Sequence, residues 1–347
     1  MTSRNRILTG LLSTTALMSA WGAMDAANAA ACTGAFVMGD VFASVGSSTV
    51  DVFTPTGALV CTLNDASGSS FTTGSGFDAA GNFYVTNFST GNISKFNDPQ
   101  PGLVTAFMTG TSAGESIDNQ STGFYALTSL VGQAGAAAIN KYNTATGALI
   151  HSYSVTGGNL TGGTDWVDVY NPTTGQVIYD GEGTRVLSAI LNANGTTTQL
   201  AAFTSAATEA ALHHIFAMRT IGTGAFAGDV LLADSVQDVL LDSSGNIIKH
   251  YLLGTGVNLF SLNLDPDGVS FWTGDFSNGH IWEINIASGA IEQSWLTGTG
   301  GGTLYGLSVF GEIQQGGGGG VPEPASLALL GTALAGFGLA RRRRKAV

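Results

Sequence analysis

The sequence predicts an all-β fold, and three observations support this. Glycine supplies 50 of 347 residues, charged residues only 10% and hydrophobic residues 44%, a composition that provides apolar material for a core and argues against a disordered chain. A strand, a glycine-containing turn and a second strand recur along the chain. The turn glycines are Gly57, Gly102, Gly147, Gly195, Gly245 and Gly289, so the steps are 45, 45, 48, 50 and 44 residues. Because one four-stranded propeller blade has this length, we expect a six-bladed β-propeller.

Each repeat predicts an outer hairpin preceded by a second strand. The hairpins are "VDVFTPTGALV", "SKFNDPQPGLV", "NKYNTATGALI", "SAILNANGTTT", "VLLDSSGNII" and "EINIASGAI", each with a glycine to supply positive φ in the turn. The second strands are "DVFASV", "NFYVTN", "GFYALT", "QVIYDG", "DVLLAD" and "SFWTGD". The turn signals "DAAGN" (78–82) and "DPDG" (265–268) predict inner hairpins. The segment "TEAALHHIFAMR" (208–219) comes nearest to a helical pattern, but its neighbours favour a strand.

The two ends of the repeat region complement each other. The first hairpin lacks an inner strand, whereas the last strand, "LYGLSVFGEI" (304–313), lacks a hairpin. We expect this last strand to supply the inner position of the first blade, which completes six blades and leaves no open edge at the closure. The predicted propeller domain is 30–313.

The first 29 residues have the pattern of a secretory signal peptide. Arg4 and Arg6 precede an apolar stretch, which we expect to form a signal helix, and "ANA" (27–29) offers small residues at the cleavage positions. We therefore expect the protein to be exported. The alternative is lipidation at Cys32, but the leucine usually found three positions before a lipidated cysteine is missing.

Two cysteines remain after cleavage of this signal, Cys32 and Cys61. An even count in an exported chain indicates one disulfide, which would hold the N-terminal end of the domain. Spacing alone leaves a second interpretation open, two buried free thiols.

The charge distribution excludes a nucleic-acid partner. Seven of the 12 basic residues and two of the 24 acidic ones lie in the terminal segments, which leaves 5 basic against 22 acidic residues, a formal charge of −17, in the body. Phosphate binding depends on clustered Lys and Arg, and the body has no such cluster.

The C-terminal region has three parts. A glycine-rich linker (314–320) leads into "VPEP", and 16 uncharged, mostly apolar residues (325–340) follow. A helix of that length spans about 24 Å, short of a hydrocarbon core of ~30 Å, so it is a marginal transmembrane helix. Arg341, Arg342, Arg343, Arg344 and Lys345 come next and would stop transfer and hold that end in the cytoplasm, with the body outside.

The order of these parts resembles the PEP-CTERM sorting signal of exopolysaccharide-producing Gram-negative bacteria, for which we assign 321–347. Pro322, Glu323 and Pro324 match its motif residue by residue. The resemblance implies an exosortase partner, which cleaves near this motif and releases the body from transient anchoring in the inner membrane toward the cell surface or the extracellular space. The alternative is an ordinary permanent anchor.

One repeat also carries a resemblance. "GNFYVTNFSTGNISKFN" (81–97) resembles the repeat of the NHL, YVTN and SMP-30-type β-propellers, with Tyr84, Val85, Thr86 and Asn87 spelling the YVTN motif. The resemblance covers about 280 residues as architecture. It implies the fold but not an activity, because propellers host many unrelated functions.

Candidate site residues are those on predicted inner strands, which line the central channel. They are Glu115, Asp118, Asp165, Asp168, His213, His214 and Asp265. Such a cluster could hold a divalent cation, as in the SMP-30-type lactonases, although that family's set of one Glu, Asn residues and one Asp has no residue-by-residue match here. As neighbours on a strand, His213 and His214 would point to opposite faces, so at most one would face a site. No cofactor is otherwise expected.

The sequence contains no nucleophile elbow, HExxH, Walker loop or EF-hand loop. We therefore expect a non-catalytic binding or structural protein of the cell surface or extracellular matrix, with a polysaccharide or another matrix component as partner. The tryptophans Trp166, Trp272, Trp282 and Trp295 fit either a sugar-binding surface or blade packing. The alternative function is a metal-dependent hydrolase or lyase, similar to a lactonase, acting on a lactone or polysaccharide.

Overall fold

The computed structural model describes residues 31–98, 101–121, 123–156 and 163–312. These residues form 24 strands in six antiparallel sheets of four strands each. Each sheet is one blade, and its four strands follow one another from the channel to the outer edge. The predicted all-β, six-bladed propeller is thereby confirmed. The predicted signal helix (1–29) and C-terminal helix lie outside the described residues.

The blades use the strands in chain order, except at the closure. Blade 1 contains β1 (Val41–Ser44), β2 (Thr49–Phe53), β3 (Leu59–Asn64) and, from the far end of the chain, β24 (Gly306–Val309). Blade 2 contains β4 (Thr72–Phe77), β5 (Phe83–Asn87), β6 (Asn92–Phe96) and β7 (Leu103–Thr109). Blade 3 contains β8 (Gly114–Gln120), β9 (Thr128–Gln133), β10 (Ala138–Asn143) and β11 (Leu149–Ser154).

The second half of the ring repeats this arrangement. Blade 4 contains β12 (Trp166–Asn171), β13 (Gln176–Asp180), β14 (Leu187–Leu191) and β15 (Thr197–Gln199). Blade 5 contains β16 (Ile215–Thr220), β17 (Val230–Asp234), β18 (Gln237–Leu241) and β19 (Ile247–Tyr251). Blade 6 contains β20 (Leu259–Leu264), β21 (Ser270–Asp275), β22 (His280–Asn285) and β23 (Ile291–Leu296).

The last strand closes the ring as the sequence predicts. β24 pairs antiparallel with β1, from Val41 opposite Val309 to Ser44 opposite Gly306. The six inner strands β24, β4, β8, β12, β16 and β20 then pack against one another in order around the channel. Because every inner strand has a neighbour on each side, the sheet edges of the central layer are covered.

The outer hairpins also lie where the glycine spacing places them. Each turn glycine lies between the third and fourth strands of its blade, and Gly57, Gly147, Gly195, Gly245 and Gly289 have positive φ. At Gly245 the tertiary contact adds a second requirement, since a Cβ there would lie 1.9 Å from the Phe203 carbonyl oxygen. Only glycine combines this close approach with a φ of +76°.

One predicted second strand is wrong. The segment "GFYALT" contains a 3₁₀ turn (Gly123–Tyr125), and the second strand of blade 3 is the next segment, β9. The Tyr125 ring is fully buried and its hydroxyl donates to the Gly175 carbonyl oxygen (2.5 Å) in blade 4. This contact with a neighbouring blade, which local propensity cannot register, fixes the turn. The other five second strands are confirmed as β1, β5, β13, β17 and β21.

The segment 208–219 is only partly a strand. A single helical turn, α1 (Ala206–Glu209), overlaps its start, with the Thr208 backbone N–H donating to the Ser205 hydroxyl as an N-cap (3.3 Å). The strand β16 begins at Ile215. His213 and His214 therefore lie in the connection before the strand, and the expectation that they alternate between two strand faces is wrong.

Inner glycines allow the blades to approach closely, which leads to a prediction. At Gly306 an added Cβ would lie 2.0 Å from the Thr73 carbonyl oxygen of blade 2. We expect Gly306→Ala to lower the free energy of unfolding by about 1–3 kcal/mol, because backbone must move to relieve the contact. Urea unfolding measures the change. The matched control is Gly34→Ala, where the added Cβ has no atom within 4 Å; equal stability of the two variants would contradict the prediction.

Candidate functional site

The predicted channel residues divide into three groups along the channel. We call the face where the inner strands begin the start face; the loops between second and third strands lie at the same face. Glu115 near the start of β8 and Asp165 just before β12 lie at the start face. Asp118 and Asp168 lie halfway along β8 and β12, and Asp265 follows β20 at the opposite face.

The middle group joins neighbouring blades. Asp118 Oδ2 accepts from the Val169 backbone N–H (2.8 Å), and Asp168 Oδ2 accepts from the Thr220 backbone N–H (2.7 Å). Arg219 Nη1 lies 3.7 Å from Asp168 Oδ1. Burial and the charge of Asp118 raise the pKa of Asp168 to about 7, and Arg219 opposes this shift. Each of these carboxylates bonds to the backbone of the next blade, so their contacts are structural.

The group at the opposite face is acidic and partly exposed. Carboxylate oxygens of Asp265, Asp267 and Glu283 lie within 4.8 Å of one another, the one such trio of acidic, His or Cys side chains in the part of the chain that the structure describes. Asp265 Oδ2 also accepts from Trp272 Nε1 (2.7 Å). Burial and the neighbouring carboxylates raise the pKa of Glu283 to about 7. Asp265 is therefore remote from the start-face residues with which the sequence grouped it.

At the start face the structure adds two acidic residues that the sequence analysis missed. Asp180 ends β13 and Glu182 follows it, and together with Glu115 and Asp165 they form what we call the start-face acidic group. Glu115 is 5% exposed, Asp165 and Asp180 are 1% exposed, and Glu182 is half-buried. Burial, reinforced by mutual repulsion, raises the pKa of Glu115, Asp180 and Glu182, and burial raises that of Asp165.

Two oxygens of the start-face acidic group are buried without a hydrogen-bond partner, Asp165 Oδ2 and Asp180 Oδ1. In blades 3, 5 and 6, the polar residue that ends the second strand accepts from the backbone N–H of the segment entering its blade. The contacts are Gln133 Oε1 with Ser112 (2.8 Å), Asp234 Oδ1 with His213 (2.6 Å) and His214 (2.8 Å), and Asp275 Oδ1 with Asn258 (2.8 Å). In blade 4 Asp180 instead accepts from Gly183 in its own turn (3.3 Å), and the entering segment carries Asp165. Blade 4 therefore lacks the contact between the end of its second strand and the backbone of its entering segment. Its entering segment carries a second carboxylate, that of Asp165, instead.

A row of partly exposed aromatic rings crosses the same face. Its members, here called the aromatic row, lie near the strand ends of blades 5, 6, 1 and 2, either within the first two residues of a strand or directly beside one: Phe216, Phe260, Phe276, Tyr305, Phe71 and Phe88. Successive ring centroids are 4.7, 5.6, 5.2, 5.1 and 6.2 Å apart. These distances are typical of interacting aromatic pairs, so the row is one continuous surface.

The aromatic row meets the start-face acidic group. The His214 ring stacks on Phe216 (6.1 Å), and its Nδ1 lies 3.1 Å from the Glu182 carbonyl oxygen. Trp166, next in sequence to Asp165, packs edge-on against Phe260 (6.1 Å). Of the four tryptophans, Trp166 therefore lies at the start face. Trp272 is fully buried, Trp282 stacks on His280 (4.1 Å) and Trp295 packs on Phe53 (4.5 Å), all within or between blades.

His213 contacts a structural carboxylate. Its Nδ1 lies 3.1 Å from Asp234 Oδ2, and its own backbone N–H also donates to Asp234. The two histidines thus have different surroundings, and only His214 contacts the start-face acidic group.

From the buried carboxyl groups we predict that the free energy of unfolding depends on pH. Asp238 on β18 is fully buried, and burial raises its pKa well above the usual range. Folding therefore favours the protonated form, and this contribution to stability is lost as the pH rises above about 4 toward the folded-state pKa. We expect the free energy of unfolding to fall between mildly acidic and neutral pH, by up to about 1.4 kcal/mol per pH unit for each such group.

Asp238→Asn tests this prediction. The amide keeps an oxygen to accept from the Thr273 hydroxyl (3.2 Å) but carries no charge. Urea unfolding across the pH range should show a shallower slope for the variant. Asp242→Asn is the control, because Asp242 lies partly exposed in a turn and its pKa is lowered by hydrogen bonds. An unchanged slope in Asp238→Asn would contradict the assignment.

Comparison with known proteins gives a match at the C-terminal end. Residues 320–344 match the PEP-CTERM protein-sorting motif. This range contains Pro322, Glu323 and Pro324 and the arginines Arg341–Arg344, all of which lie outside the described residues. In the described part of the chain, no helix has the length and apolar character needed to cross a membrane. No curated protein matches the chain.

Solved structures resemble the propeller body. A chain in the crystal structure of a Nidogen/Laminin complex is 12% identical, with a TM-score of 0.56, and the match covers 80% of this chain and 99% of that one. A functionally unknown protein from Desulfotomaculum acetoxidans DSM 771 is 13% identical, with a TM-score of 0.49, over 74% of this chain and 78% of that one. At 12% identity the first likeness shows the fold alone. The chain is an exosortase-targeted, exported protein that combines a six-bladed β-propeller body with a PEP-CTERM sorting motif.

Proposed function

We propose that the protein acts without catalysis at the cell surface or in the extracellular matrix, as a carbohydrate-binding propeller released from the inner membrane by an exosortase. The aromatic row is the observation that supports the binding role. Partly exposed aromatic rings in a continuous row offer flat apolar surfaces onto which the C–H faces of sugar rings can stack. The adjoining carboxylates are acceptors for sugar hydroxyl groups.

The shape of the site suits a chain of sugars. The row extends over four blades from Phe216 to Phe88, so it offers several successive stacking positions. Phe71 is 39% exposed, which keeps an aromatic face available to a ligand at that end of the row. A polysaccharide can use such a row repeatedly, and each weak stacking contact then adds to the total affinity.

The binding experiment uses the full chain, purified after export, on a glycan array followed by calorimetry with the best oligosaccharide. We expect Phe71→Ala and Phe276→Ala to weaken binding about five- to tenfold each, the loss of about 1–1.4 kcal/mol of stacking. Leu252→Ala is the control. Leu252 is 75% exposed, but it directly follows the outer strand of blade 5, β19, and is not a member of the aromatic row. Absence of any glycan binding, or an equal loss in the control, would contradict the proposed function.

The sorting step has its own test. Replacing Pro322, Glu323 and Pro324 by Ala leaves the apolar segment and the arginines unchanged, so export and membrane insertion should persist. We expect the variant to accumulate at its full tailed mass in the inner-membrane fraction, whereas the wild type appears beyond it, shortened near residue 324. Fractionation with C-terminal peptide mass measures this. If the wild type keeps residues 325–347 at its final location, the segment is a permanent anchor.

A metal-dependent hydrolase or lyase is the second candidate, favoured by the trio Asp265, Asp267 and Glu283. Under this alternative, protein purified without chelator would carry a divalent cation that Glu283→Gln removes. Metal retention and hydrolysis of a lactone or polysaccharide, both lost in the variant, would replace the binding role with a catalytic one.

A further inference from the structure

We propose that the start face selects sugars that carry a protonated amino group, with the start-face acidic group binding the ammonium and the aromatic row stacking on the sugar rings. This inference rests on the proposed function, because it names the class of carbohydrate that the same face binds. Three independent features of the molecule support it: the local charge, the unpaired carboxylate oxygens and the adjoining aromatic surface.

Among the residues that the structure describes, no Lys or Arg side chain acts on the start-face acidic group. The charged and titratable groups that act on Glu115, Asp165, Asp180 and Glu182 are one another and His214. The middle group differs, since there Arg219 lies beside Asp168. A cation placed among the start-face carboxylates would favour their ionised forms and offset the repulsion between them. The local negative charge therefore favours a cationic ligand.

The unpaired oxygens point to a hydrogen-bond donor. Asp165 Oδ2 and Asp180 Oδ1 are buried without partners, and an unsatisfied buried acceptor costs about 1–3 kcal/mol. The equivalents of Asp180 in blades 5 and 6 each accept from the backbone of the entering segment, which Asp180 does not, although Asp275 Oδ2 is also buried without a partner. An ammonium group has three donors and no acceptor, so it can bond to several carboxylates at once. Glu182, which is half-buried, is the most exposed carboxyl of the start-face acidic group.

Backbone strain lies at the same place. Glu182 has a φ of +60°, a left-handed conformation that costs a non-glycine residue roughly 1 kcal/mol or more. The strained turn holds the Glu182 carbonyl oxygen against His214 Nδ1 (3.1 Å), which links the acidic group to the first ring of the aromatic row. Strain of this kind concentrates at binding and catalytic sites.

The geometry favours an organic ammonium over a metal ion. Within the residues that the structure describes, no three ligand atoms of the start-face acidic group converge within 4.8 Å, in contrast to the trio at the opposite face. A divalent cation needs such convergent oxygens. An amino sugar does not, because its ammonium can bond to one or two carboxylates while its ring stacks on Phe216 or Phe260, which adjoin the acidic group through His214 and Trp166. Aromatic faces also attract organic cations directly.

The test compares three matched oligosaccharides with the full chain at neutral pH: a glucosamine oligomer, the N-acetylglucosamine oligomer of the same length and the corresponding glucose oligomer. We expect the glucosamine oligomer to bind at least tenfold more tightly than the other two. Calorimetry in buffers of different ionisation enthalpy should also show a change in the number of bound protons on binding of the glucosamine oligomer alone, because an ammonium beside the carboxyls lowers their raised pKa values.

Two variants distinguish the contribution of the acidic group to ligand affinity from general effects of substitution. Glu182→Gln and Glu115→Gln keep the side-chain shape and remove the charge, and we expect each to reduce glucosamine-oligomer affinity about tenfold while changing glucose-oligomer affinity less than about twofold. Glu182 is half-buried, so its variant should remain folded. The matched control is Asp229→Asn, a partly exposed acidic residue with a raised pKa that precedes β17 at the opposite face, and it should leave all three affinities unchanged.

The outcomes distinguish this inference from the proposed function. If all three oligomers bind with equal affinity, or if Glu182→Gln weakens all three equally, the amine selectivity is overturned and the carbohydrate-binding role stands. If none of the three binds and no glycan on the array does, the proposed function itself fails. Binding that appears only after calcium is added, without amine preference, would overturn the ammonium assignment in favour of a metal-bridged ligand.

Discussion

Deleting residues 306–312 is expected to prevent the propeller from forming. The deletion removes β24, which supplies the inner position of blade 1 and packs between β20 and β4. Leu307, Val309 and Phe310 are each at most 4% exposed, so their apolar contacts would be lost together. The edge of β1 would also be exposed, which favours aggregation. The loss should equal the whole free energy of unfolding, about 5–15 kcal/mol for a domain.

Soluble yield, far-ultraviolet circular dichroism and urea unfolding measure this effect. The control is a protein that is exported with the same signal peptide and ends after residue 312. This control retains β24 and all of its described neighbours. A soluble deletion variant with one cooperative transition at the control's midpoint would show that blade 1 folds without its inner strand. Five complete blades and the three remaining strands of blade 1 would then be enough for folding. Closure of the ring would contribute little to the free energy of unfolding.

Removing the disulfide is expected to have the second-largest effect. The structure joins Cys32 to Cys61, with a Cα–Cα distance of 5.0 Å and 29 residues of sequence separation. For a loop of that length the chain-entropy model gives about 3–4 kcal/mol of stabilisation. The bridge also fixes the segment that carries Phe36, whose ring packs on Phe42 (4.8 Å) and is 7% exposed. Loss of the bridge would therefore loosen the aromatic cluster between blades 1 and 2.

The measurement is urea unfolding of the Cys32→Ser/Cys61→Ser double variant, with and without reductant. We expect a lower midpoint for the variant, a shift of the wild type to the same midpoint in reductant, and no effect of reductant on the variant. Reductant thus serves as the internal control for the serine substitutions. Two free thiols in the intact mass of exported wild-type protein would overturn the assignment.

The repeat architecture could be predicted from the sequence because its causes are local. A glycine flanked by turn-forming residues favours a hairpin turn between two strands, and six such turns recur at a spacing of 44–50 residues. The same reasoning identified the last strand as the partner of β1, since one end lacked an inner strand and the other had one to spare. The "GFYALT" segment shows the limit, because Tyr125 is held by Gly175 of the next blade.

The start face could not be predicted, because neighbouring blades bring together residues that are remote in sequence. Glu115, Asp165 and Asp180 come from two blades, and Asp180 was indistinguishable in sequence from Asp234 and Asp275, whose carboxylates hold the blade backbone. The aromatic row joins Phe71 to Tyr305, 234 positions apart, at a ring distance of 5.1 Å. The sequence by itself determined the number of blades, their hairpins and the sorting signal. Only the closed ring decided which strand ends became neighbours, since side chains on separate blades meet through the curvature of the whole assembly.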